Sequence, residues 1–225
     1  MPSDLPRSPK LLKGALVEYQ SQFLGPIPNV IVFQYNPDQL SRTLAHRIPP
    51  REPGNVGSAR EDVLRVQGPP VETTNLTVVL EATDQLAEPA QHPQIALHGL
   101  HPALAALELL LYPPSSQALL NHTLAEAGTA QISPEDVPLV LFVWGASRVV
   151  PVRLTSFSVT EQAFDQVLNP IRAEVQLGMR VLTYMELKET SVGYNAYLAT
   201  QTQKEVLARL NLVGSAEQPI GTLPF

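Results

Sequence analysis

The alternation of apolar and polar side chains is clearest late in the chain. Across Ala173–Leu182, the residues Ala173, Val175, Leu177, Met179 and Val181 fall on one side and Glu174, Gln176, Gly178 and Arg180 on the other, which predicts a strand with one packed and one wet face. Thr73–Ala82 repeats the pattern with Leu76, Val78 and Leu80. Pro138–Trp144 is apolar throughout, as expected of a central strand covered on both faces, and Val149–Thr160 returns as strand after Gly145-Ala146-Ser147. Gly14–Gln20 and Val30–Tyr35 are rich in β-branched and aromatic residues and are bounded by Gly25-Pro26 and Asn36-Pro37, so they predict two further strands that can pair as a hairpin.

Helical spacing is confined to three places. Pro102 at a first turn, followed by an Ala/Leu run to Leu111 and stopped by Pro113-Pro114, predicts a short and mostly buried helix. Ser116–Ala127, closed by Gly128, predicts a second. Ser191–Leu212 places Tyr194, Tyr197, Leu198, Val206, Leu207 and Leu210 at helical spacing and predicts a terminal helix before a loose tail, 213–225. Arg42–Val71 instead gathers Pro49, Pro50, Pro53, Pro69 and Pro70 with Arg42, Arg47, Arg51, Arg60 and Arg65, and predicts a long arm. Ordering such an arm costs conformational entropy, so it is expected to be either mobile or docked on something, its arginines either solvated in a loop or facing an acidic partner at the rim. Together these elements predict a mainly β chain with minor α: a small barrel or sandwich of two packed antiparallel sheets, with one or two short helices and a C-terminal helix. Residues 1–190 form one domain carrying the arm 42–71, and 191–225 the helix and tail.

Composition narrows the function. The chain has 225 residues, 44% of them apolar, enough for a large core. Fifteen basic against 21 acidic residues leave a net charge of −6, a field that repels phosphate backbones and anionic membranes, so neither nucleic acid nor membrane insertion is expected. The absence of cysteine removes disulfides and thiolate chemistry. No apolar run reaches the ~18 residues of a spanning helix, and Met1–Lys13 lacks a signal-type apolar segment, which places the expected site of synthesis and folding in the cytoplasm.

Candidate chemistry is sparse. His92, His98 and His101 lie close in sequence and are the material for a metal-assisted hydrolase, but Gly99 and Pro102 break the spacing and no His-Glu-x-x-His motif is present. No nucleophile elbow, phosphate loop or dinucleotide fingerprint occurs, and the acid pairs Glu61-Asp62 and Glu135-Asp136 fall in loop-like sequence. The expectation is a non-enzymatic protein with no cofactor and no metal.

Three short constellations carry a resemblance. Phe33-Gln34-Tyr35-Asn36-Pro37-Asp38-Gln39-Leu40 is similar to the F-x-[FY]-N-P-x-x-L start of the tube-like proteins of contractile injection systems. Pro138–Gly145 resembles the strand ending in Trp-Gly that follows in that family, and Asn169-Pro170-Ile171-Arg172-Ala173-Glu174-Val175 its P-x-R-A-x-V stretch. Leu168 stands where the family usually has glycine, and the LysM module that some members carry is missing from 191–225. The resemblance implies a ring-forming baseplate hub adaptor of a phage-tail-like particle: a hexamer with the tube-protein barrel fold, joining the inner tube to the spike and meeting other baseplate subunits. A cap-end or tube-terminating ring is the alternative station, and a monomeric β-sandwich binding module the rival outside the family. In the implied setting, Phe33, Asn36, Pro37, Leu40, Trp144, Gly145, Pro170, Arg172 and Ala173 are structural or interface residues. Asn36-Pro37 ends a strand, Trp144 anchors the space between the sheets, and Arg172 forms an ion pair across a turn or a subunit seam. The arm, with Arg47, Arg51, Arg60 and Arg65, reaches a neighbour or folds along the ring face.

Overall fold

A computed structural model describes residues 12–19, 29–48, 66–113, 115–126, 128 and 137–215. Seven strands are hydrogen-bonded into one antiparallel sheet: β1 (Ala15–Tyr19), β2 (Asn29–Val32), β3 (Leu40–Ala45), β4 (Val71–Glu81), β5 (Leu139–Val143), β6 (Val149–Phe164) and β7 (Pro170–Val181). Their order is β2-β1-β5-β6-β7-β4-β3, so the short strands β2 and β3 are the margins and the long strands β6, β7 and β4 the centre.

The face predicted to pack does so. Ala173, Val175, Leu177, Met179 and Val181 of β7 are buried, and they meet Leu76, Val78 and Leu80 of β4, with Val150, Val152 and Leu154 of β6, in one core. Leu177 faces Leu76, Val175 faces Val78, and Ala173 faces Leu80 in the ladder, so residues of equal size pair at two positions and a small one meets a large one at the third. Leu16 and Phe142 extend this core through β1 and β5.

Among the described residues there are also five α-helices: α1 (Thr83–Leu86), α2 (Pro93–His98), α3 (His101–Glu108), α4 (Ser115–Glu126) and α5 (Val192–Ser215). On α3 and the 3-10 turn that continues it, Leu104, Leu107 and Leu110 are buried, a stripe at three-residue steps that covers the sheet. Ser191 caps α5 by accepting the Tyr194 N–H at 3.1 Å. α5 lies against the sheet rather than standing apart: Gly193 sits on Leu139 and Pro151, Tyr197 is buried, and the Thr200 hydroxyl donates to the Val149 carbonyl at 2.7 Å.

Several expectations need correction. The arm is not loop from its start, because Leu40–Ala45 pairs with β4 from Leu40↔Leu76 to Ala45↔Val71; the prolines that exclude strand pairing begin only at Pro49. The rest of the arm, with Arg51, Arg60 and Arg65, lies outside the described residues, as do the acid pairs Glu61-Asp62 and Glu135-Asp136 and the tail beyond Ser215. Helix α5 runs three residues past Leu212. The segment holding His98 is helical, with Gly99 ending α2 and Leu100 leading into α3. The ladders form one sheet, not two: no strand pairing joins β2 to β3 among the described residues.

Candidate assembly interface

The stretch Phe33–Asn36 stands where β2 has ended, and its side chains continue what the backbone ladder leaves off. Phe33 is buried in the core while its N–H donates to the Gly14 carbonyl at 2.9 Å. Asn36 turns toward the segment that leads into β1: its Oδ1 accepts the Gly14 N–H at 2.9 Å and its Nδ2 donates to the Leu12 carbonyl at 2.8 Å. Gln34 turns to the far side of the sheet. Its Nε2 donates to the Glu81 carbonyl at 2.7 Å and its Oε1 accepts the Glu81 N–H at 2.8 Å.

A side-chain amide sets a donor nitrogen beside an acceptor oxygen, the same two kinds of group that a backbone residue presents. Gln34 therefore acts as a one-residue strand. It stands where β3 has ended its pairing at Leu76 and β4 runs on to Glu81 with no strand on that side among the described residues. Gln34 brings the β2 margin to the far end of β4, beside the opposite margin, while Asn36 ties the same stretch to the segment entering β1, and the sheet curls accordingly.

Trp144 belongs to the same junction. It is half-buried rather than lodged between sheets, since β5 ends at Val143 and the next inward position stands at the rim of the core. Its ring stacks on Phe142 at 5.8 Å and lies over Gly14, where an added Cβ would come within 2.7 Å of the indole and 2.8 Å of the Phe33 ring. Gly14 is thus fixed by the close approach of two aromatic side chains. Gly145 has φ +73°, the left-handed conformation that lets Trp144 N–H reach the Arg148 carbonyl at 2.8 Å and turn β5 into β6. Leu12, Gly14, Asn36, Trp144 and Gly145 line a shallow cavity of about 200 Å³, below the roughly 300–1,000 Å³ of small-molecule sites.

The other margin is held by charges. Arg42, on edge strand β3, pairs with the buried carboxylate of Glu72 at 2.6 Å, and Lys204 of α5 reaches the other oxygen of that carboxylate at 3.4 Å. Arg47 donates to the Pro69 carbonyl at 3.1 Å and pairs with Glu186 at 3.2 Å, fastening both roots of the arm to the turn after β7. Glu186 also pairs with Arg180 and accepts the Thr183 N–H at 3.1 Å. Burial pushes the Glu186 carboxyl up, but the Thr183 N–H, Arg180, Arg47 and the Thr183 hydroxyl together hold it below its ordinary value. The two described arm arginines thus meet acids of their own chain.

No family model matches this sequence, and no curated protein matches it.

The third constellation lies at the root of the β6–β7 hairpin. Pro170 is buried and opens β7 opposite Phe164, and its carbonyl accepts the Leu100 N–H at 2.8 Å. Arg172 pairs with Glu81 at 3.7 Å, across the β4–β7 ladder of the same chain. Ala173 is fully buried against Leu80. Pro37 is half-buried beside Asn36, and Leu40, the first residue of β3, packs on the core.

The junction therefore joins two of the three constellations directly, Phe33–Asn36 and Trp144-Gly145, and Gln34 links them through Glu81 to Arg172 of the third. The histidines do not converge: His98 and His101 are exposed, and no group of three potential metal ligands exists among the described residues. Glu72, Glu81, Asp165 and Glu186 escaped the sequence reading. Only Glu186 has a local signal, since Thr183-x-x-Glu186 has the spacing of a reciprocal capping box. No helix among the described residues is long and apolar enough to cross a membrane.

Proposed function

We propose that this chain is a non-enzymatic assembly protein, a ring-forming subunit of a contractile, phage-tail-like particle that joins the inner tube to the spike at the baseplate hub. The reading is carried by the Phe33–Asn36 junction. The residues by which the sequence resembles the tube-like family are those that hold this curl of the sheet together, through a buried ring and two amides that take the place of strand pairing. On this reading the curled sheet is the family's small barrel, and Gln34 closes the gap that the ladders leave.

Both margins of the sheet support lateral assembly. β2 and β3 each lack a strand on their outer side among the described residues. β2 also exposes Val30 and Val32. A margin of this kind carries open backbone donors and acceptors that a neighbouring copy can satisfy, and a repeated contact of unlike edges closes into a ring when its rotation divides the circle. The test is the native mass and negative-stain image of the purified chain, alone and mixed with the tube and spike proteins of the same particle. Rings that bind either protein are the expected result. A persistent monomer that ignores both would overturn the reading and favour a β-sandwich binding module.

A further inference from the structure

The two ends of the β6–β7 ladder are unlike each other in a way that makes them complementary. At one end, Asp165–Asn169 connects the strands in a turn that is fully tied internally. Asp165 Oδ1 accepts the N–H groups of Val167 and Asn169, both at 2.8 Å, and the Asp165 N–H donates to the Asn169 carbonyl at 2.9 Å. Asn169 Nδ2 donates to Asp165 Oδ2 at 2.9 Å and to the Leu97 carbonyl at 3.2 Å, fixing the turn to α2.

This turn holds large apolar side chains in water. Val167 is 74% exposed and Leu168 77%, with Leu97 of α2 also exposed beside them. Leu168 has φ +67° and, among the described residues, is the single non-glycine at positive φ. That conformation strains any side chain that carries a Cβ, and neither the strain nor the exposure is offset by packing among the described residues. Acidic groups outnumber basic ones at this end: Asp165 itself, Glu161 and Glu174 on the hairpin, Asp84 on α1 and Glu88 just after it, against His98 and His101 on α2 and α3, while Arg172 is taken up by Glu81.

At the other end, roughly 35 Å away at the usual rise per strand residue, the exposed apolar residues are Val66, Tyr184 and Met185, with Leu44 on β3. Arg42, Arg47, Arg153, Arg180, Lys188 and Lys204 border them, against Glu72, Glu186 and Glu189. This end therefore carries a cationic surplus around an apolar floor, while the whole chain is anionic.

We propose that the turn Asp165–Asn169 of one copy docks on the Val66/Tyr184/Met185 floor of a second copy, end to end. The occupant is a second copy because one chain carries both halves: a preformed apolar tip in an acidic surround, and an apolar floor in a basic one. The contact is heterologous, so it propagates along an axis instead of closing on itself as a twofold dimer. It is separate from the sheet margins and does not depend on the particle in which the protein works.

Mixing two variants tests it. Val167→Ser with Leu168→Asn removes the apolar tip, and asparagine tolerates the left-handed backbone. Val66→Ser with Met185→Gln removes the floor. Each variant is first checked for a melting temperature no lower than that of wild type; should the floor variant fail this check, Val66→Ser alone takes its place. By sedimentation velocity, wild type is expected to grow with concentration from its smallest unit, with growth at least tenfold weaker in 0.5 M salt. Each variant alone should stay at that unit, and a mixture should stop at two units, because one good tip and one good floor remain per pair. Wild type that fails to grow, variants that grow like wild type, or a mixture that stays at the single unit would overturn the proposal. Growth of wild type only when another protein is added would assign the tip to that partner and overturn it equally.

Discussion

The two margins of the sheet are held by opposite chemistries. At β2 the fastening is mainly neutral: the amides of Gln34 and Asn36 make four hydrogen bonds to backbone groups of Glu81, Leu12 and Gly14, and the charged groups there, Lys13 on the Gln34 carbonyl and Glu18 on the Asn29 amide, bind neutral partners and not each other. At β3 it is ionic, with Arg42 and Lys204 on Glu72 and Arg47 and Arg180 on Glu186. Neutral amides do not titrate and are little affected by salt, whereas partly exposed ion pairs are screened. The difference divides the molecule into a margin insensitive to conditions and one that responds to them, and the responsive margin is the one from which the arm departs.

The sharpest way to break the comparison is to remove the apolar pin of the neutral margin. Phe33→Ala vacates a fully buried position between Gly14 and Trp144 and should cost about 3–5 kcal/mol, read from urea unfolding. A loss below about 1 kcal/mol would mean that the junction contributes little to the fold.

Next in size is Asn36→Ala. It leaves the Gly14 N–H and the Leu12 carbonyl without their partner, at a cost of about 2 kcal/mol that should be the same in 0.05 M and 0.5 M salt. Arg42→Met, at the ionic margin, leaves the buried Glu72 carboxylate with Lys204 alone and should cost about 1–2 kcal/mol, less than a fully buried pair because Arg42 is partly exposed. Here the cost should shrink in high salt. If both substitutions respond to salt alike, the distinction between the margins is wrong.

The reasons why the centre of the sheet is legible in the sequence and the fastenings of its margins are not are physical. Strand β7 was readable because its buried residues alternate without a break, and the helix stripe at Leu104, Leu107 and Leu110 for a similar reason. Strand β3 was hidden because Arg42 takes an inward position that an apolar residue would normally hold; its partner Glu72 is thirty residues away and cannot be inferred from local pattern. The same holds for Gln34 and Glu81, which are 47 residues apart. Periodicity records which face is buried, and it records nothing about a side chain that substitutes for a strand. The last four residues of β6 lie past the strand that the pattern predicts, because Glu161–Phe164 is exposed on both faces and shows no alternation. Trp144 was assigned to the core by its size, while its position one residue beyond β5 places it at the rim.

The smallest effect sharpens the comparison most, because it isolates charge from shape. Glu186→Gln keeps the side-chain volume and an acceptor for Thr183, but removes the charge that Arg47 and Arg180 face. Near pH 7 it should cost about 0.5–1 kcal/mol, the range of partly exposed pairs. The native carboxyl titrates below its unfolded value, so its stabilisation is complete above the ordinary glutamate range and is lost as the pH falls through the lower folded value. Wild type and variant should therefore differ most near neutrality and converge in acid, as followed by melting temperature against pH. The Asn36→Ala deficit should show no such convergence over the same interval, since neither the amide nor the backbone groups it binds take up a proton there. Parallel curves for Glu186→Gln and wild type down to the acid limit would show that the arm is fastened by shape and packing, and the ionic margin would then be no different in kind from the neutral one.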